Sequence, residues 1–342
     1  MPMIKGRAGD GGIDGDADAW RRELANAIRE PAELAAMLDL PVERLPDMTG
    51  AAGNFGLLVP RGFAALMRRG DPGDPLLRQV LPDAAERAPQ PPGYEPDALD
   101  EAGASRAPGL LQKYHGRALL VTSGACAVHC RYCFRRHYPY AEENPRRDDW
   151  NPAIAAIAAD ASITEIILSG GDPLMLGDTA LARLAERLGG IPQLRRLRIH
   201  SRLPVVLPSR VNAKLIAWIA ASPLPVTLVL HVNHPNEIGP ELVAACARLR
   251  PHLRFLLNQS VLLAGVNDDA DILAELSESL DDAGILPYYL HLPDRVAGTA
   301  HFSVDEDTGL HLIEALRARL PGYLVPRLAR EEPGAASKLV IG

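Results

Sequence analysis

Between residues 118 and 291 the chain alternates short apolar runs with longer amphipathic stretches, at a period of about 30 residues, the size of one βα unit. The apolar runs predict strands over 118–122, 165–168, 194–200, 226–231, 255–260 and 286–291. The stretches between them predict helices that include 152–159, 179–188, 212–221, 240–249 and 270–283. Strands separated by helices pair parallel through right-handed crossovers, because a tight hairpin turn is not available to them. The expected fold class is therefore α/β, an incomplete (β/α)6 barrel, since a closed eight-stranded barrel needs more chain over this span. A doubly wound open sheet remains the rival, because alternation alone does not fix closure.

Polar and Gly-rich segments recur at the C-terminal end of each predicted strand. They are Cys126 to Tyr140 (CAVHCRYCFRRHYPY), Ser169-Gly-Gly-Asp-Pro173, His200-Ser-Arg202, the stretch from His231 to Glu237, Asn258-Gln259-Ser260 and His291-Leu-Pro-Asp294. Each alone reads as capping or turn chemistry. Their recurrence at one end of successive strands is where a parallel barrel builds its active site.

The first of these segments carries three of the four cysteines, Cys126, Cys130 and Cys133, spaced C-x3-C-x2-C. Clustered thiolates suit an iron–sulfur cluster or zinc and read as metal ligands of a reducing cytoplasm, not disulfides. Zinc needs a fourth ligand, which His129 or His137 would have to supply; a four-iron cluster on three cysteines leaves one iron open. The fourth cysteine, Cys246, sits in an apolar helical stretch and reads as a buried, inert thiol.

Lysine is scarce: Lys5, Lys113, Lys214 and Lys338 are the only four among 36 basic residues. Lys338 ends a tail of small residues, Pro333-Gly-Ala-Ala-Ser-Lys338, and by itself reads as a solvated side chain. Arg135 follows the cysteines and could fork a carboxylate. Lys113, Tyr114 and Arg117, ahead of the first strand, would suit a phosphate, and Asp294 an ammonium group.

Residues 1–19 are Gly- and Asp-rich and expected to be disordered, and residues 20–110 form a helical N-terminal region, with helices at 20–28, 31–38 and 63–68, in which packing is the default role. The barrel would span 111–320 with a final helix at 302–318, and 321–342 would form a C-terminal segment with an added strand at 323–328. The 342 residues carry a formal charge of −7 without a basic block, which argues against nucleic-acid binding. No apolar run approaches the ~20 residues of a membrane span, and the N-terminus lacks the apolar core of a signal peptide. The expected location is cytoplasmic; a homo-oligomer is compatible with the sequence.

Taken together, CAVHCRYCFRRHYPY, SGGDPL, HVNHPNE, NQSVLLAGVND, LPYYLHLPD and the tail PGAASK resemble the lysine 2,3-aminomutase family of PLP-dependent radical S-adenosylmethionine (SAM) enzymes. LLVPRGF, GDPGDPLLRQV, LARE and the end of the chain soon after Lys338 resemble the subgroup that makes β-lysine for elongation factor P. The resemblance implies a radical SAM barrel with a short PLP-binding tail, and an isomerase that moves the amino group of L-lysine from Cα to Cβ. It implies a [4Fe–4S] cluster on Cys126, Cys130 and Cys133. Lys338 would hold PLP covalently, with its phosphate on Lys113, Tyr114 and Arg117. Cofactor contacts would come from Ser169, Gly170, Gly171, Asp172, His231 and Gln259, the backbone of the Gly-Gly turn holding the amino group of SAM. Arg135 would bind the lysine carboxylate, and Asp294 and Glu331 its side-chain ammonium. Glu331 stands where the catabolic enzymes have aspartate. Implied partners are a ligase acting on elongation factor P and an electron donor such as flavodoxin or ferredoxin. A catabolic lysine or glutamate aminomutase and a metal-binding interaction module are the alternatives.

Overall fold

The computed structural model describes residues 18–41, 55–143 and 148–342; most of the expected disordered N-terminus lies outside them. A ten-stranded sheet follows chain order. Its strands are β1 (Ser105–Ala107), β2 (Leu110–Tyr114), β3 (Arg117–Ser123), β4 (Glu165–Gly170), β5 (Arg196–Ser201), β6 (Val226–Leu230), β7 (Phe255–Val261), β8 (Leu286–His291), β9 (Arg327–Arg330) and β10 (Leu339–Val340). Pairing is parallel from β3 to β9. β1–β2–β3 and β9–β10 are antiparallel additions at the two edges. The edge strands β1 and β10 do not pair, so the barrel stays open.

Alternate residues decide between a curled and a flat sheet. Ile167 and Ser169 of β4, Leu257 and Gln259 of β7, and Tyr289 and His291 of β8 all line one internal cavity. The intervening Ile166, Leu168, Leu256 and Leu290 are buried in the core shared with the helices. One face therefore encloses a cavity, and the doubly wound alternative, with helices on both faces, does not apply.

The outer layer comprises Asn151–Ala159, Asp178–Gly189, Ala213–Ala221, Pro240–Leu249, Ala270–Asp282 and Glu306–Arg317. Asp178–Gly189 shows why: Leu181, Leu184 and Leu188 recur at helical spacing and are buried, each worth roughly 1.5–3 kcal/mol against exposure. Asp269 and Asp305 start their helices by accepting backbone N–H bonds from Ile272 and Thr308. No helix among the described residues is long and apolar enough to cross a membrane.

The added strand expected at 323–328 lies at Arg327–Arg330 instead. Pro326 offers no N–H to a ladder, and 322–324 form a 3-10 turn before it. In the N-terminal region the helices are short: Ala19–Ala25, Pro31–Met37, Arg61–Ala64 and Pro75–Arg78. The helix expected at 63–68 is thus displaced and shortened. Trp20, Ile28, Phe63 and Leu76 join the same core as the barrel strands.

Packing is not this region's only role. Glu86, from a 3-10 turn at Ala84–Arg87, accepts from Arg131 Nε at 2.7 Å and Arg136 Nη2 at 2.6 Å, and Arg131 is fully buried. Glu86→Ala leaves that guanidinium buried and uncompensated. The expected loss is about 3–5 kcal/mol, read by urea denaturation of the iron-free protein; a loss under ~1 kcal/mol would show that solvent reaches Arg131.

Candidate active site

A cavity of about 610 Å³ fills the barrel. The three clustered cysteines, the Ser-Gly-Gly-Asp turn, Arg135, Asp294, Glu331 and Lys338 all line it.

The cysteine loop leaves β3 at Ser123 and is pinned by segments remote in sequence. His129 N–H bonds the Leu58 carbonyl at 3.1 Å and Arg131 N–H the Gln79 carbonyl at 2.8 Å. Each histidine considered as a zinc ligand has one ring nitrogen on a backbone carbonyl. His129 Nδ1 lies 2.6 Å from the Gly56 carbonyl, its ring stacked on Phe55, and His137 Nε2 lies 3.0 Å from the Ala297 carbonyl. Among the described residues no three His, Cys, Asp or Glu side chains close on one point as around a single ion. Burial, then the neighbouring sulfurs and Asp172, push the Cys126 thiol well up. Burial and Cys130 push Cys133 up to about 11. Three thiolates crowded in a buried place repel one another. A bound cationic metal relieves that repulsion, and sulfurs that do not close on one point suit a cluster spread over several irons better than a single ion.

The fold itself requires both glycines of the SGGD turn. Gly170 adopts φ +127°, and a Cβ there would lie 2.4 Å from the Ser123 carbonyl oxygen; one on Gly171 would lie 2.5 Å from that of Ala125. It is the start of the cysteine loop, held by Gly171 N–H to Ser123 O (2.7 Å) and Asp172 N–H to Ala125 O (2.8 Å), that approaches these glycines. The Asp172 carboxylate is fully engaged by the Leu174, Arg202 and Leu203 amides and the Ser201 hydroxyl. Burial still lifts it to about 6 against those bonds. Its side chain locks the turn to the end of β5, and Asp172 stays in the cavity lining.

The charged groups are paired internally. Arg135 donates Nε and Nη2 to the two oxygens of Glu101, at 2.8 and 2.7 Å, and Nη1 to Ser169 Oγ at 2.9 Å. The fork expected to take a substrate carboxylate is thus filled by a protein carboxylate, and the Nη1–Ser169 edge remains. Glu101 went unnoticed in the sequence. It sits in a turn 34 residues away, without periodicity or motif to mark it. Lys113 bridges Glu101 and Glu331 at 3.7 Å each, so its amine faces carboxylates rather than standing open to a phosphate. Glu331 also pairs with Lys338 Nζ at 3.1 Å. Burial would raise the Glu331 carboxyl, but Lys338 and Lys113 hold it below its usual value.

Lys338 is not the solvated tail residue that its neighbours in sequence suggest. β10 pairs with β9 and turns the amine into the barrel, 3.2 Å from His291 Nε2 and 5.2 Å from the centre of the Tyr289 ring. Burial and the neighbouring cations hold three histidines neutral: His200 and His291 well below the usual range, and His231 at about 3. Gln259 Nε2 lies between His200 and His231, 3.5 Å from each. Among the described residues the Tyr114 hydroxyl and His200 Nε2 are buried without a hydrogen-bond partner, and Arg117, stacked on Tyr114 at 4.7 Å, has no ion pair. The Lys338 amine from the β9–β10 edge, and the Tyr114 hydroxyl and Arg117 guanidinium from the β2–β3 edge, line the same cavity and fit a phosphorylated carbonyl cofactor.

An open parallel barrel with this cysteine loop at its mouth defines the class, a radical SAM enzyme with a [4Fe–4S] cluster and SAM as cofactors. Residues 115–191 match the family model for a 4Fe-4S single cluster domain. The chain is 48% identical to the L-lysine 2,3-aminomutase of Escherichia coli strain K12 over 93% of each chain, and 33% identical to that of Clostridium subterminale over 95% of this chain and 78% of that one. It belongs to the lysine 2,3-aminomutase family, a family of isomerases. Among solved structures, a radical SAM methyltransferase from Sphaerobacter thermophilus aligns at 20% identity and a TM-score of 0.45, over 65% of this chain and 68% of that one.

Proposed function

We propose that the protein is a PLP-dependent lysine 2,3-aminomutase that converts free L-α-lysine to β-lysine for attachment to elongation factor P. The observation that carries the reading is that the Lys338 amine and the three cysteine sulfurs open onto one cavity. In this reading Cys126, Cys130 and Cys133 hold the cluster, Lys338 holds PLP through its amine, and Tyr114 and Arg117 meet the phosphate. When bound, the cluster and SAM supply a hydrogen-abstracting radical, and PLP supplies the electron delocalisation that lets an amino group cross from Cα to Cβ.

The chain's own part is to bind, orient and exclude water. Each charged end of lysine has a counterpart already paired with its own kind. The Arg135 fork holds a carboxylate, and Glu331 holds the primary ammonium of Lys338. The carboxylate of lysine would replace Glu101 at Arg135, and its ammonium would take the place beside Glu331 that the Lys338 amine vacates when it holds PLP, which leaves Cα and Cβ between them. A glutamate side chain would face Asp294 and Glu331 together and be repelled. Resemblance in LLVPRGF and GDPGDPLLRQV supports the elongation factor P subgroup, with a ligase as consumer of the product.

Burial, then the Glu331 charge, push Asp294 up to about 7, against the pull of Lys338 and Lys113. A substrate ammonium pairs only with the ionised carboxyl. The apparent affinity for lysine should therefore rise as pH climbs through about 7 and fall away below it. Asp294→Asn is expected to raise KM roughly 10- to 100-fold, as for loss of one charged hydrogen bond, and to flatten that dependence. An unchanged KM and pH profile would remove Asp294 from the substrate site.

The reaction, its substrate and its cofactors are tested by anaerobic incubation of reconstituted protein with SAM, PLP, a reductant and L-lysine, with β-lysine read by mass spectrometry. Cleavage of SAM without β-lysine would overturn the substrate, and a full iron complement without SAM cleavage would overturn the reaction.

A further inference from the structure

We infer that Arg202 sets the reduction potential of the cluster through a charged N–H···S hydrogen bond to Cys130. The inference rests on the cluster ligation proposed above and extends it to a buried side chain of the cavity wall.

Arg202 follows β5 in the His-Ser-Arg segment and is buried. Its Nη1 donates to Cys130 Sγ at 2.8 Å and to the Tyr132 hydroxyl at 2.5 Å. Its Nη2 donates to Gln79 Oε1 at 2.7 Å and to Glu237 Oε2 at 2.9 Å. Its backbone N–H is fixed on Asp172 at 2.8 Å. Glu237 is itself fully buried, accepting from Gln79 Nε2 at 3.1 Å and the Asn233 amide at 3.0 Å. The guanidinium is thus held from the N-terminal region, the cysteine loop and the segment after β6 at once. A guanidinium whose Nη1 and Nη2 are both held by protein groups is fixed in place, although its Nε is buried without a hydrogen-bond partner among the described residues. It aims one positively charged Nη1–H at one cysteine sulfur.

Reduction adds one electron from an external donor to a cluster whose charge spreads onto its thiolate ligands. A donor hydrogen bond and a fixed positive charge at such a sulfur stabilise the reduced form and raise the potential. Burial keeps this interaction from being screened. Glu237 lies on the far side of the same guanidinium and partly cancels it. The two residues therefore act with opposite sign, which a merely structural staple would not do.

The test is an anaerobic redox titration of reconstituted protein without SAM, PLP or lysine, with dithionite as one-electron donor and the EPR signal of the reduced cluster as readout. Arg202→Gln alone would strand Glu237 as a buried charge, so the charge-neutral pair Arg202→Gln/Glu237→Gln is used, beside Glu237→Gln and Arg202→Lys. The double variant is expected to titrate at a more negative potential than wild type, Glu237→Gln at a less negative one, and Arg202→Lys, which keeps the charge, between wild type and the double variant. Midpoints that coincide, or that move the same way in the double variant and in Glu237→Gln, would overturn the inference. If the double variant holds no cluster, Glu237→Gln decides: a midpoint at or below wild type overturns it. Wild-type protein without iron or an EPR signal would instead overturn the ligation beneath it.

Discussion

Alanine at position 338 is expected to leave a folded, iron-loaded protein that no longer retains PLP and forms β-lysine below detection. The Lys338 amine lies 3.1 Å from Glu331 and 3.2 Å from His291, inside the cavity that the cysteines also line. The neutral His291 ring stands within hydrogen-bond distance of the amine and orients it for attack on a carbonyl. Lys113 offers no substitute, because it bridges two carboxylates on the opposite side of Glu331. Lys338 itself is only partly buried, so its truncation removes little packing. The check is borohydride reduction of the PLP-loaded protein followed by peptide mass spectrometry. The adduct should map to Lys338 and vanish in the variant; an adduct retained on another lysine would refute the assignment.

Removal of a single cluster thiol should be as severe. Cys126→Ser is expected to lose most of the bound iron and all SAM cleavage, because three protein ligands leave none to spare and a serine hydroxyl is a poor ligand for iron in this setting. Cys246→Ala is the matched control. That thiol is buried in Pro240–Leu249, with burial pushing it up to about 12, and lies away from the cavity lining. It should keep iron and cleavage. Full iron in Cys126→Ser would mean that the three-cysteine ligation is wrong.

What could be seen beforehand, and what could not, divides along physical lines. The parallel strands were visible because each repeats the same local pattern, an apolar run, a polar end and an amphipathic helix. The cysteine loop was visible because its ligands are close in the chain. The antiparallel additions were not anticipated, although Tyr114-His115-Gly116-Arg117 is a tight connection whose Gly116 adopts φ +79° and so carries the signal of a hairpin. Glu86, Glu101 and Gln79 were beyond reach. Each acts through a partner more than 30 residues away, and a carboxylate destined for a buried arginine looks, in its own neighbourhood, like any surface acid. The site's arginines advertised themselves beside the cysteines; the acids that position them did not.

The internal pairing of Arg135 with Glu101 and of Lys338 with Glu331 also bears on selectivity in the cell. A ligand that brings only a carboxylate, or only an amine, adds one uncompensated charge to the barrel. A ligand that brings both, at the right separation, adds no net charge, because its two ends offset each other. Chloride, acetate and simple amines are thereby excluded by stoichiometry, not by shape. For the same reason, occupancy by lysine should depend only weakly on ionic strength, since few charges pass from solvent-screened to unscreened surroundings beyond those the ligand itself carries.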